Sequence, residues 1–72
     1  MQTKFDVYHS KEFDSFTLIE SSKFKAQSVL LESDASLIDT FLIDHEKDDD
    51  VFLMAKEKYN QTIQRFCSQN ST

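Results

Sequence analysis

Glycine and proline are both absent from all 72 residues of this chain, and that absence constrains the fold more than any motif it contains. Glycine supplies the left-handed backbone of tight turns and lets a main chain approach a phosphate closely. A P-loop, a GxGxxG dinucleotide turn and a GxSxG nucleophile elbow all depend on it, so none of them can be built here. Turns must be made by Ser, Asn, Asp and His, and hairpin links are expected to be longer than the two-residue type that relies on Gly.

The length fits one small domain spanning 1–72, close to the lower limit at which a single core suffices. A lone cysteine, Cys67, allows no internal disulfide, and with two distant histidines it cannot assemble a zinc knuckle. The remaining sources of stability are oligomerisation and an aromatic core drawn from seven Phe and two Tyr, each buried ring removing roughly 150–250 Å² from water. A net charge of −5 and a pI near 4.7 argue against direct nucleic-acid binding, which depends on cationic side chains displacing counterions, and favour basic partners. The N-terminal MQTKFDVYHS lacks the charged and apolar regions of a secretory signal, and no window approaches the roughly 18 apolar residues of a membrane span. The expectation is a soluble, cytoplasmic protein with no membrane partner.

Periodicity divides the chain into elements. Lys4–His9 alternates Phe5, Val7 and His9 with Asp6 and Tyr8, which predicts a strand, and Phe13–Glu20 places Phe16 and Leu18 on one face against Thr17 and Ile19 on the other. Lys23–Glu32 reads as a third strand, with Phe24, Ala26, Ser28 and Leu30 opposite Val29 and Leu31; its alternative helical stripe is ragged. After the potential caps Ser33 and Asp34, the arc Leu37, Ile38, Phe41, Leu42 and His45 predicts a helix over about Ala35–Asp44. The run Asp48–Asp50 suits the positive end of a second helix, along which Val51, Phe52, Ala55, Tyr59, Thr62, Ile63, Phe66 and Cys67 fill one arc. A rival reading pairs Phe41–Ile43 with Val51–Met54 as a hairpin. Residues 68–72 read as a frayed tail. The resulting fold class is α+β: an N-terminal three-stranded antiparallel sheet followed by two C-terminal helices packed on one face, with the phenylalanines as core.

No constellation specifies a reaction. The acidic run Asp44, Glu46, Asp48, Asp49, Asp50 offers hard oxygen ligands, and counting from Glu46 the acids and Glu57 approach calcium-loop spacing; but Val51 stands where the sharp bend needs Gly, and no second loop is present. His9, His45 and Cys67 are far apart and fit structural roles better than a nucleophile and base. The chain is therefore expected to be no enzyme and to use no cofactor. More informative is a surplus of apolar residues: with one sheet face on the helices, Tyr8, Ile19, Val29 and Leu31 point away, and Leu53 and Met54 fall off the buried helical arc.

These features point to a small acidic protein-interaction module, a regulator, adaptor or inhibitor. Apolar anchors (Tyr8, Ile19, Val29, Leu31, Leu53, Met54) would combine with the carboxylates of Asp44, Glu46, Asp48, Asp49 and Asp50 to dock a larger protein with a basic surface, with the back of the sheet also suited to a homodimer. A second reading is a nucleic-acid-mimicking inhibitor of a DNA- or RNA-handling enzyme. It requires Asp6, Asp14, Asp39 and the acidic run to align on one face, and Lys4, Lys11, Lys23 and Lys25 dilute the strand side. Divalent-cation binding is the third.

Overall fold

A computed structural model describes residues 1–70. Strand β1 (Gln2–Ser10) is followed by β2 (Ser15–Glu20), by three single helical turns over Ser21–Lys23, Phe24–Gln27 (α1) and Ser28–Leu30, by β3 (Ser36–Asp44), and by the long helix α2 (Val51–Asn70). The α+β class and the three-stranded antiparallel sheet are as the sequence predicts, in the order β2-β1-β3. The identity of the third strand is not. Lys23–Glu32, expected to be a strand, forms the helical turns, and Ala35–Asp44, expected to be a helix, supplies β3.

The exchange has a physical cause. Residues 23–32 are rich in Lys, Ala, Gln and Leu, which favour helix, whereas Ile38, Thr40, Phe41 and Ile43 are the β-branched and aromatic types that suit a pleated surface. The rival hairpin is realised in its first half only: Phe41–Ile43 is extended, but Val51–Met54 opens α2. β1 and β2 are joined by the four-residue turn Lys11–Asp14, longer than a two-residue link, and Asp14 takes a positive φ of 51°. Asp tolerates this left-handed geometry better than most residues, so it does the work a glycine would do elsewhere.

Register defines two faces. Val7 pairs with Leu18 and His9 with Phe16 across β1 and β2, while Phe5 pairs with Phe41 and Thr3 with Ile43 across β1 and β3. These side chains form the inner face beneath α2, where Phe5, Ile43 and Ala55 are buried and Leu18, Phe41 and Val51 pack around them. His9 and Phe16 meet Phe66 of α2, with ring centroids 4.6 Å and 5.7 Å apart. The phenylalanines do not all enter the core as expected: Phe5 is buried, but Phe13, Phe24 and Phe52 are exposed. With a Cα envelope only 14 Å deep, the molecule has too little interior to hide every ring.

On α2 the expected arc is only partly buried. Ala55 and Thr62 are enclosed and Tyr59, Ile63 and Phe66 are half-buried, whereas Phe52 and Cys67 are exposed. The helix continues through Ser68 and Gln69 to Asn70, beyond the point where a frayed tail was expected; residues 71 and 72 lie outside the described residues.

Candidate functional site

The acidic run forms the turn between β3 and α2. Asp50 is the N-cap: its Oδ1 accepts the Leu53 N–H at 3.1 Å, while its carbonyl accepts from Met54 at 3.1 Å. Asp49 closes the turn, its Oδ2 accepting the Glu46 N–H at 2.8 Å and its own N–H donating to the Glu46 carbonyl at 3.2 Å. Asp50 satisfies a free backbone donor at the helix start and Asp49 one in the turn before it, the expected uses of short carboxylates at such places. Asp44, Glu46 and Asp48 are exposed around them. Among the described residues no three His, Cys, Asp or Glu side chains converge as cation ligands.

Beside this turn the first turn of α2 presents Phe52, Leu53 and Met54 to solvent, with Leu53 62% exposed. Leu53 and Met54, which the sequence places off the buried arc, are therefore outward, and they adjoin the carboxylates. Phe52 joins them, though helical spacing assigns it to the core. An open depression of about 280 Å³ lies between this turn and β3, lined in part by Leu42, Ile43, Met54, Glu57 and Lys58.

The four sheet anchors fare differently, and the expectation of an uncovered sheet back is corrected. The helical turns of 21–30 lie across the outer face and bury Ile19 to 1% exposure. Phe24 of α1 stands over Tyr8, ring centroids 6.1 Å apart, and the Gln27 Oε1 accepts the Glu20 N–H at 3.1 Å to hold the turns in place. Burial raises the Tyr8 phenol above its ordinary value, with the Asp6 charge adding to the effect. Leu31 is half-buried and only Val29, 81% exposed, is free. The segment expected to be part of the bare sheet is what covers it.

The histidines are tied into structure. His45 Nε2 meets Thr3 Oγ1 at 2.7 Å and its Nδ1 faces the Glu46 carbonyl at 3.0 Å, so Nδ1 carries the hydrogen toward the carbonyl. His9 is sandwiched by Phe16 and Phe66 with Nε2 3.0 Å from Asp14. Asp39 lies under α2, accepting from Thr62 Oγ1 at 2.6 Å and from Arg65 at 3.4 Å. Asp6, hydrogen-bonded to Thr40, lies on the opposite face of the sheet. The acids that a nucleic-acid mimic would align thus point to different sides.

A feature that the sequence reading missed is the edge of β3. This nine-residue outer strand carries no Lys or Pro, and Leu37 and Leu42 stand exposed on it. The signal available was its run of β-branched and aromatic residues, masked by an accidental helical arc. Comparison with protein-family models, curated proteins and solved structures returns no match. Among the described residues no helix is long and apolar enough to cross a membrane.

Proposed function

We propose that this chain is a small acidic protein-interaction module, acting in the cytoplasm as a regulator, adaptor or inhibitor by docking on a larger protein with a basic surface. The reading rests on one observation: exposed Phe52, Leu53 and Met54 adjoin the exposed carboxylates Asp44, Glu46, Asp48, Asp49 and Asp50. Apolar anchors beside charge are the composition of a docking patch, the anchors slowing dissociation and the charge steering encounter. Large apolar side chains grouped at a helix start leave much of their surface in water in the isolated chain, so a partner that covers them would gain the transfer free energy of that surface. The reading assigns no catalytic residue and no cofactor. It needs a local patch only, whereas a nucleic-acid mimic needs acids across a face, and Asp6 and Asp39 lie on opposite faces of the sheet.

Affinity capture tests this. The wild-type chain is expected to recover a defined basic protein at low salt, with recovery falling as salt screens the carboxylates; Leu53→Asp should abolish recovery, and Glu46→Gln with Asp48→Asn should reduce it. Equal recovery by all variants, or no partner at any salt concentration, would reject the proposal.

A further inference from the structure

The two edges of the sheet are treated differently by the rest of the chain. His45 donates to the Met1 carbonyl at 2.8 Å and accepts from the Met1 nitrogen at 2.9 Å, which sets the antiparallel alternation: Ile43, Phe41 and Asp39 turn their backbone groups toward β1, and Asp44, Leu42 and Thr40 turn theirs outward. By the same alternation Phe16, Leu18 and Glu20 face outward on β2. Side chains cap that edge at both ends, the Tyr59 hydroxyl donating to the Phe16 carbonyl at 3.0 Å and the Gln27 Oε1 accepting the Glu20 N–H at 3.1 Å, and only Leu18 between them has neither outward group capped among the described residues. On β3 the Thr40 N–H is taken by Asp39 Oδ1 at 2.9 Å. The outward groups of Leu42 and Asp44 have no such cap among the described residues. An uncapped outer strand without Lys or Pro is a template for another strand.

We propose that the occupant is a second copy of this chain, and that two β3 strands pair antiparallel across a two-fold axis at Leu42. This register sets outward-facing residues opposite one another, Leu42 exchanging hydrogen bonds with the partner copy's Leu42 and the Asp44 N–H donating to its Thr40 carbonyl. Between these, Phe41 meets Ile43 and Asp39 meets His45. Each acid thus faces a hydroxyl or an imidazole rather than another acid, and apolar residues face one another. Centring the axis on Phe41 instead sets Asp39 against Ile43, and centring it on Thr40 runs the ladder into the β-bulge between Val7 and Tyr8, where Ile38 is the extra residue. Leu42, 54% exposed in the single chain, would be covered at the axis, and the two sheets would become one continuous antiparallel sheet with both α2 helices on the same side. An isologous contact of this kind closes on itself, so it gives a dimer and not a fibre.

Because each copy carries −5, self-association is expected to tighten as salt screens the repulsion, opposite in sign to docking on a basic protein. The dimer shares only Asp44 with the docking patch, and Leu53→Asp is expected to leave it intact.

Sedimentation equilibrium over a dilution series is expected to give a species of twice the 8.4 kDa chain mass. Leu42→Lys and Leu42→Glu, each folded by circular dichroism, should weaken self-association by more than about tenfold through like charges at the axis, and mixing the two should restore it. Leu30→Lys, which removes an even more exposed apolar side chain elsewhere, should change nothing. In the wild-type chain, exchange of the Leu42 and Asp44 amide hydrogens should slow by at least about tenfold on concentration. A wild-type monomer throughout, dimers of Leu42→Lys as strong as wild type, or exchange independent of concentration would overturn the proposal.

Discussion

Asp34 is held by Ser10 Oγ, which donates to its Oδ1 at 2.7 Å, and by the Glu12 N–H at 2.8 Å. Ser10 is itself buried and accepts the Phe13 N–H at 3.2 Å, so the chain two residues ahead of β3 is clasped to the turn between β1 and β2. The Ser10 hydrogen bond, followed by that from Glu12, holds the Asp34 carboxyl below its ordinary value. A carboxyl whose folded value is depressed adds stability above its unfolded pKa, and that stability is lost as pH falls through the folded value. Asp34→Asn is therefore expected to flatten the fall of Tm below about pH 4, checked by melting curves across that range; an unchanged slope would mean the clasp adds nothing. Tyr59 acts at the same scale. Its hydroxyl caps the Phe16 carbonyl on the β2 edge, and burial raises its phenol above the ordinary value. Tyr59→Phe should cost about 1 kcal/mol in chemical denaturation.

At the scale of elements, α2 is the part of the fold most legible in the sequence. Asp50 ahead of Val51 announces a cap, and the spacing of Ala55, Tyr59, Thr62 and Phe66 announces a buried stripe. Asp50→Ala should lower stability by about 0.5–2 kcal/mol, with loss of helical circular dichroism at the start of α2. The acidic run and the exposure of Leu53 and Met54 were legible for the same reason, since a helix start has a direction and a stripe has an edge. β1 and β2 were readable from strict alternation. The middle of the chain was not. In 36–44 the spacing of Leu37, Ile38, Phe41 and Leu42 suits a helix on paper, but pairing with β1 satisfies all the backbone groups on one side of the strand at once, and such long-range pairing leaves no trace in local periodicity. With 36–44 paired along the second side of β1, 21–31 is left outside the sheet. Its helix-favouring residues fold over the outer face, and Ile19, expected as an anchor, is sealed beneath them. The exposure of Phe52 was hidden likewise, because the angular arc of α2 is wider than the strip of sheet beneath it.

For the whole molecule, a Cα envelope of 41 × 26 × 14 Å describes a thin slab with a small core, so surfaces rather than cavities set what it can do. Its two candidate contacts respond oppositely to ionic strength. Raising salt should strengthen the pairing of β3 edges and weaken docking through the acidic turn, which light scattering and affinity capture on one sample would separate. The strand order β2-β1-β3 also has a consequence in time. β1, the first strand made, lies in the middle of the sheet. Its hairpin with β2 closes across a short turn, but its other side must wait until 36–44 has been synthesised, a later and entropically costlier closure. Until then β1 is itself an open edge, so the nascent chain passes through a stage in which the strand that finally lies deepest is the one most able to pair wrongly.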